Sequence, residues 1–453
     1  MSPENSPTFR ALRHPNFRLY LAGSVISNTG TWMQRVAQDW LVLSLPGTGG
    51  SELGITTGLQ FLPILLLAPY AGVIADRFPK RILLQLTQLS MALSSLGLGA
   101  IAVSGHAEVW MVYALSFLFG VGAAFDMPVR QSFTSEMVGR GDLTNAVGLN
   151  GAAFNLARLV GPASAGLLIA VLGGGAEAAG WVILLNGISF FAVIWQLRRM
   201  DLTLLHPSVI QPRTPGMLRD GVRYVRSQPR MVLVLVLVFF AGTFGMNFQI
   251  TSALMATEVY GKGAGEFGVL GSAIAVGSLT GALLAARRPA IRLRLLVVAA
   301  VGFGVAEIFA GLMPSYLTFA IFSPVIGLFI ITLLNSANAT MQLESDPAYR
   351  GRVMALYMTV VMGGTPLGAP FIGAVGEQFG ARWTLIIGGA LVLFGVAVAL
   401  LVFQRMTGLL AGPQAGPQEE RSSAGRKNAS VANGPPTVLA STESSDPGWM
   451  SPA

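Results

Sequence analysis

Two carboxyl groups stand inside long apolar runs of the sequence, where they could take up and release protons. Asp39 lies in the run near residues 17–45, and Glu307 lies in the run near residues 293–313. An ionisable side chain in a membrane span is unfavourable and usually serves an ion, proton or substrate pathway. We therefore expect Asp39 to be the proton-coupling carboxyl, with Glu307 as the second candidate.

Asp39 also has a simpler interpretation. Arg35 precedes it by four residues, so the two side chains would share one face of a helix and could form an internal ion pair. Both interpretations fit the spacing equally well. A pair that persisted throughout the transport cycle would make Glu307 the better candidate.

Other polar and aromatic side chains in the apolar runs could line a substrate cavity. Polar groups in membrane spans usually face the interior of the bundle or a cavity, and aromatic groups supply apolar contact area. Trp32 and Phe248 are the weaker candidates, because most aromatic residues of such runs face lipid or the core. The full candidate set is Trp32, Gln34, Arg35, Gln38, Asn155, Arg158, Asn247, Phe248, Asn335 and Asn338.

Several kinds of chemistry have no residues to support them. The chain has no cysteine, which excludes disulfides, thiolate metal sites and a cysteine nucleophile. Its three histidines, His14, His106 and His206, fall in loops or termini, and no phosphate-binding glycine-rich loop with lysine is present. We expect no metal, no cofactor and no enzymatic activity.

The elements that must position these side chains are membrane-spanning helices. Hydrophobic residues make up 53% of the chain and charged residues 11%, whereas soluble domains carry about 25% charged residues. The apolar runs are about twenty residues long, which is the length that crosses a bilayer as a helix. We predict twelve spans, near residues 17–45, 53–75, 82–104, 109–129, 143–172, 180–197, 231–257, 266–286, 293–313, 315–341, 353–376 and 382–404.

The basic residues test this register, because cytoplasmic loops carry an excess of lysine and arginine. With both termini in the cytoplasm, nearly all of the 29 basic residues fall in cytoplasmic segments. The exceptions are Lys262 and Arg382 in external loops, and Arg35 and Arg158 within spans. Topology therefore explains the net charge of +8, and we expect no binding to nucleic acid.

The spans divide into two halves of six that resemble each other. Arg140-Gly141 precedes span 5 and Arg350-Gly351 precedes span 11, as expected for parallel six-helix repeats with substrate bound between them. The linker contains a basic amphipathic stretch, Met217–Arg226, which could lie on an anionic leaflet or be a plain solvated linker. The expected organisation is a cytoplasmic N-terminus (1–16), an N-terminal half (17–197), a linker (198–230), a C-terminal half (231–404) and a disordered cytoplasmic tail (405–453).

The loop between spans 2 and 3 carries a charged motif. It runs from Gly72 through Asp76-Arg77 to Lys80-Arg81 and resembles the loop signature of the major facilitator superfamily, with Pro79 where glycine is usual. The resemblance implies that a cytoplasmic charge latch holds the halves together in the outward-open state. A purely topological basic anchor is the alternative. The latch candidates are Asp76, Arg77, Arg81, Asp126 and Arg130.

Span 5 carries small residues at the spacing of the superfamily's antiporter motif. They are Gly148, Gly161-Pro162 and Gly166, with Ala157 and Ala165 replacing two glycines. Proline bends a helix and small residues permit close helix packing. The match favours exporters over nutrient importers, and generic small-residue packing is the alternative.

Span 1 is similar to that of bacterial exporters related to the enterobactin exporter, in Gly30–Gln34 and Trp40–Val42. The resemblance implies an all-helical major facilitator fold in the bacterial inner membrane. We expect a monomer that exports small amphipathic molecules, such as drugs, antibiotics or siderophores, in exchange for protons. A nutrient importer of the same fold and a non-transporting receptor or scaffold are the alternatives.

Overall fold

The computed structural model describes residues 7–206, 217–286 and 293–410. Twelve long helices account for most of these residues, with short 3-10 turns at Pro7–Arg13 and Leu202–Leu204 and a linker helix at Met217–Arg226. The long helices are α1 Pro15–Ser44, α2 Gly50–Arg77, α3 Lys80–Val103, α4 Val109–Gly139, α5 Gly141–Val171, α6 Ala176–Arg199, α7 Pro229–Val259, α8 Ala264–Ala286, α9 Leu293–Gly311, α10 Tyr316–Glu344, α11 Arg350–Phe379 and α12 Ala381–Leu410.

Eleven of these helices are long and apolar enough to cross a membrane. The twelfth, α1, has 30 residues but is more polar, because it contains Arg18, Arg35 and Asp39. It packs closely against α5 and α6, so it belongs to the same bundle. The predicted all-helical fold is confirmed, with eleven candidate membrane spans among the twelve long helices of the described residues.

The helix bounds lie within a few residues of the predicted spans, with one clear exception. Span 4 was expected to end near residue 129, but α4 continues to Gly139. Its last turns bury Phe133 and Met137 against Phe17 and Tyr20 of α1, so apolar packing extends the helix beyond the predicted end. Gly139 has a φ of 67°, a conformation that glycine adopts readily, and α5 begins directly after it.

The linker and the C-terminal tail are described only in part. The predicted linker covers residues 198–230, and residues 207–216 of it lie outside the described residues. The chain was expected to leave the last helix near residue 404, whereas α12 continues to Leu410. The rest of the expected disordered tail, residues 411–453, lies outside the described residues.

The two halves touch through glycines in α2 and α11. A Cβ atom on Gly54 would lie 2.4 Å from the carbonyl oxygen of Ala369, and one on Gly373 would lie 2.2 Å from that of Gly50. Any larger residue would force the backbones apart. Small residues are the usual means of bringing membrane helices this close.

A second glycine contact joins α5 to α8. A Cβ atom on Gly166 would lie 2.3 Å from the carbonyl oxygen of Ala264, and one on Gly268 would lie 2.3 Å from that of Pro162. Ser272 adds a hydrogen bond across the same contact, donating to the carbonyl oxygen of Leu159 at 2.6 Å. The halves are therefore packed together at the end where α2 and α8 begin.

The halves separate towards the opposite end, which carries most of the arginines and is here called the arginine-rich end. Gly148 on α5 and Gly351 on α11 have no atom within 4 Å of a built Cβ position. On α2, Leu65 still touches Gly363 of α11, but Tyr70 is 65% exposed. A cleft between the halves thus opens at the arginine-rich end and closes near the level of Gly161 and Pro162.

Candidate functional site

Trp32 of α1 lies at the closed end of this cleft. Gly161 of α5 makes room for it, since a Cβ atom there would lie 2.6 Å from the Trp32 Cβ. The neighbouring Pro162 already contacts α8 through Gly268 and Gly271. Trp32 therefore sits beside the point where the two halves meet.

Two arginines pack on the Trp32 ring. The guanidinium carbon of Arg35 lies 4.6 Å from the ring centre, and that of Arg158, on α5, lies 5.6 Å from it. Arg35 also lies 5.4 Å from the ring centre of Phe61 on α2, and Phe154 contacts Trp32 edge to face at 5.8 Å. Such cation–π contacts are strongest where water is excluded. These five side chains are called the Trp32 cluster below.

A layer of buried polar groups lies along α1 beside the cluster. Gln38 Nε2 donates to Gln60 Oε1 of α2 at 3.2 Å, and Asn186 Nδ2 of α6 donates to Gln34 Oε1 at 2.6 Å. These bonds tie α1 to its neighbours. They place Gln34 and Gln38 in internal hydrogen bonds rather than on an open cavity wall.

Asp39 has no such partner. It is 3% exposed, and its Oδ2 atom accepts no hydrogen bond from any described residue. The salt bridges within the described part of the chain do not include an Arg35–Asp39 pair, although one helical turn separates the two. In this conformation Arg35 lies on Trp32 and Phe61 instead.

Glu307 is equally buried but stands apart, on α9 of the C-terminal half. It is 1% exposed, and its Oε2 atom has no hydrogen-bond partner among the described residues. Its carboxyl packs on α7, where a Cβ atom on Gly245 would lie 3.0 Å from Glu307 Oε2. The α7 backbone is locally a π-helix at Ala241–Gly245, a distortion that is frequent at functional sites.

The remaining cavity candidates make local contacts within the described structure. Asn247 donates to the carbonyl oxygen of Thr243 at 2.9 Å, and Phe248 packs edge to face on Phe303 at 5.9 Å. Asn155 Nδ2 donates to the carbonyl oxygen of Gly151, and Asn338 Oδ1 accepts from Gln342. Asn335 is half-buried on α10. None of these contacts reaches the Trp32 cluster.

The charged network around Asp126 lies within the N-terminal half. Asp126 accepts hydrogen bonds from Thr87 and Gln88 of α3, at 3.0 and 2.8 Å, and from Arg130 Nε at 2.8 Å. Arg130 in turn donates to Tyr20 and to Ser24 of α1. The network joins α1, α3 and α4 rather than one half to the other.

Of the other latch candidates, Arg81 makes its contacts within this half. Arg81 donates to the carbonyl oxygen of Leu197 at the end of α6, at 2.6 Å. Arg77 is exposed, and the side chain of Asp76 lies outside the described residues.

Lys80 pairs with Glu136 of α4 at 2.5 Å, an ion pair that sequence reasoning missed. Gln60 and Asn186 were missed as well, although their polarity inside apolar runs was a usable signal.

The fold is that of a transporter of the major facilitator class. The family model described as a transmembrane secretion effector matches residues 6–411, and the chain belongs to this family of transporters rather than to any class of enzyme. It is 26% identical over 404 residues to the multidrug efflux pump Tap of Mycolicibacterium fortuitum, covering 87% of this chain and 98% of Tap.

Two further relatives and one solved structure extend the comparison. Macrolide efflux protein A of Streptococcus pyogenes is 24% identical over 347 residues, covering 75% of this chain and 84% of that protein. The staphyloferrin A transporter of Staphylococcus aureus is 31% identical over 157 residues, covering 34% and 39%. A bacterial homolog of the human lysosomal transporter Spinster, in its inward-facing and unoccupied conformation, shares the fold with a TM-score of 0.71 at 16% identity, covering 87% and 98%.

Replacing Asp126 by leucine should strongly destabilise the N-terminal half. The change leaves the largely buried Arg130 without its carboxylate, which typically costs about 3–5 kcal/mol. Denaturant titration in detergent micelles would measure the free energy of unfolding. The matched control is Asp142→Leu, which removes the contacts with the partly exposed Arg10 and His14 and should cost less, about 1 kcal/mol for each exposed contact at most. Equal losses in the two variants would contradict a structural role for the Asp126 network.

Proposed function

We propose that this chain exports small amphipathic molecules, such as drugs, antibiotics or siderophores, in exchange for protons. The named efflux pumps among its relatives support export. The cleft opens at the arginine-rich end, which the positive-inside rule assigns to the cytoplasm, together with both termini. A substrate would then enter this conformation from the cytoplasm or the inner leaflet.

One observation carries the proton-coupling part of the proposal. The Asp39 carboxyl is buried without a hydrogen-bond partner, one helical turn from an arginine that packs on an aromatic ring instead. A buried ionised carboxylate without a partner is very unfavourable. The arrangement therefore corresponds to the protonated form of Asp39, in which Arg35 has no anion to attract it.

Loss of the proton would move Arg35. The ionised carboxylate and the guanidinium stand four residues apart on one helix, where an ion pair forms readily. Arg35 would then leave Trp32 and Phe61, and an apolar or aromatic part of the substrate could pack on the exposed rings. Arg158 would stay on the Trp32 ring in both arrangements. Proton and substrate thus compete through Arg35, which is the requirement for antiport.

The transport cycle follows from this competition. In the inward-open state Asp39 releases its proton to the cytoplasm, and the substrate takes the place of Arg35 on the rings. The two halves then rock about their contact, so that the glycine contacts open and the arginine-rich ends close. Substrate leaves on the outer side, Asp39 is protonated there, and Arg35 returns to Trp32.

Glu307 is the second candidate for the coupling carboxyl. It shares the burial and the missing partner of Asp39, and it packs on the irregular part of α7. It has no described arginine neighbour that could exchange partners on protonation. Asp39 is therefore the first choice.

Everted vesicles energised to an inside-acid gradient test both the activity and the carboxyl. Adding a transported compound should dissipate the gradient with the wild type and with Glu307→Gln, but not with Asp39→Asn, which cannot release a proton. The panel should include macrolides and staphyloferrin A, the compounds named for the relatives. Asp142→Asn serves as the surface control. Activity in Asp39→Asn with loss in Glu307→Gln would transfer the role to Glu307, and no response to any compound with the wild type would contradict proton-coupled export.

The pH dependence of substrate binding tests the partner exchange itself. Wild-type affinity should rise with pH as Asp39 ionises and draws Arg35 off the rings. A desolvated cation–π contact of about 2 kcal/mol corresponds to a change of at least about tenfold. Asp39→Asn should bind weakly at every pH, and Arg35→Gln should bind tightly at every pH. Fluorescence titration of purified protein would measure these affinities, and a pH dependence that survives in Arg35→Gln would contradict the exchange.

A further inference from the structure

The linker helix is firmly docked on the C-terminal half. Tyr224 stacks in parallel on Tyr349 with ring centres 4.5 Å apart, and its hydroxyl oxygen accepts a hydrogen bond from the backbone of Asp346 at 3.1 Å. Asp220 lies 3.8 Å from Arg352 of α11, and Gly221 permits close contact with the same arginine. The helix is therefore fixed over the arginine-rich end of this half and is not a loose tether.

Beneath the linker helix runs an apolar groove of roughly 400 Å³. Val222 and Val225 of the linker helix form its upper edge, and α7, α11 and α12 form its walls. Phe239 of α7, 38% exposed, marks its deeper end. Among the described residues, Arg226 is the only charged side chain that lines the groove, at the edge nearest the arginine-rich end.

Positive charge lies at the edge of the groove, where Arg226 lines it and Arg223 lies on the same linker helix. Arg223 and Arg226 are exposed and have no carboxylate partner among the described residues, whereas the nearby Arg230 is paired with Glu344 at 3.0 Å. The position of the groove on membrane-spanning helices places its apolar walls at hydrocarbon depth and its rim at headgroup level. Cationic side chains at that level attract anionic headgroups.

We infer that this groove binds an anionic phospholipid, with an acyl chain along α7 and α12 and the phosphate at Arg226. The charge at the rim selects the headgroup, and the apolar walls accept the chain. A lipid in this position touches the linker helix, α7, α11 and α12 at once and so fastens the linker helix to the C-terminal half. The lipid site shares no residue with the Trp32 cluster, so lipid binding can be tested independently of the proposed transport activity.

Native mass spectrometry of the full-length protein in detergent, with phosphatidylglycerol and phosphatidylcholine added in equal amounts, tests the inference. The wild type should bind more phosphatidylglycerol, by about fivefold for one arginine acting on an anionic lipid. Arg226→Gln should remove this preference while still binding either lipid. Val398→Trp, which fills the groove from α12, should reduce binding of both lipids.

Matched controls separate the site from general effects. Arg199→Gln removes an exposed arginine at the end of α6, and Leu401→Trp adds the same bulk at an exposed position of α12. Both controls should bind lipid as the wild type does. Equal binding of the two lipids by the wild type, or an unchanged preference in Arg226→Gln, would overturn the inference.

Discussion

The two halves touch backbone to backbone through glycines of α2, α5, α8 and α11. This contact determines the spacing of the halves and the position of the cleft between them. A Cβ atom at Gly54, Gly166 or Gly268 would stand within 2.4 Å of a main-chain carbonyl oxygen of the other half, so these positions set the distance between the halves. The same helices carry Gly148 and Gly351 in open space at their other ends. Close packing at one end and separation at the other together produce a cleft with a defined closed end.

The charged and aromatic side chains of the candidate site lie where that cleft closes. Trp32, Arg35 and Arg158 lie beside the last glycine contact, and the unpartnered Asp39 lies one turn further along α1. The Asp126–Arg130 network ties α1, α3 and α4 of the N-terminal half together. The linker helix is similarly fixed to the other half through Tyr224 and Asp220. In the proposed transport cycle, motion between the halves would be concentrated at the glycine contacts.

Much of the fold could be predicted from the sequence, because the length of apolar runs and the placement of arginines decide where helices cross a membrane. The end of α4 could not, since it depends on packing of Phe133 and Met137 against α1 rather than on hydropathy. The site was predicted less completely. The spacing of Arg35 and Asp39 allowed an ion pair, and only three-dimensional neighbours show that Trp32 and Phe61 hold the arginine instead. The predicted latch residue Asp126 likewise found its partners on α3 and within α4, where the sequence offered no way to choose among several arginines.

The absence of cysteine allows a direct measurement of the coupling between Asp39 and the motion of the halves. Spin labels on Gly148→Cys with Leu284→Cys would report the arginine-rich ends of α5 and α8, and labels on Leu168→Cys with Val269→Cys would report the packed ends. Without substrate, we expect one distance per pair at high pH, because a carrier with neither proton nor substrate must not exchange. At low pH a second population should appear, shorter for the first pair and longer for the second, and Asp39→Asn should show both populations at every pH. Distance distributions that do not change with pH in the wild type, or that still change with pH in Asp39→Asn, would contradict the proposed coupling.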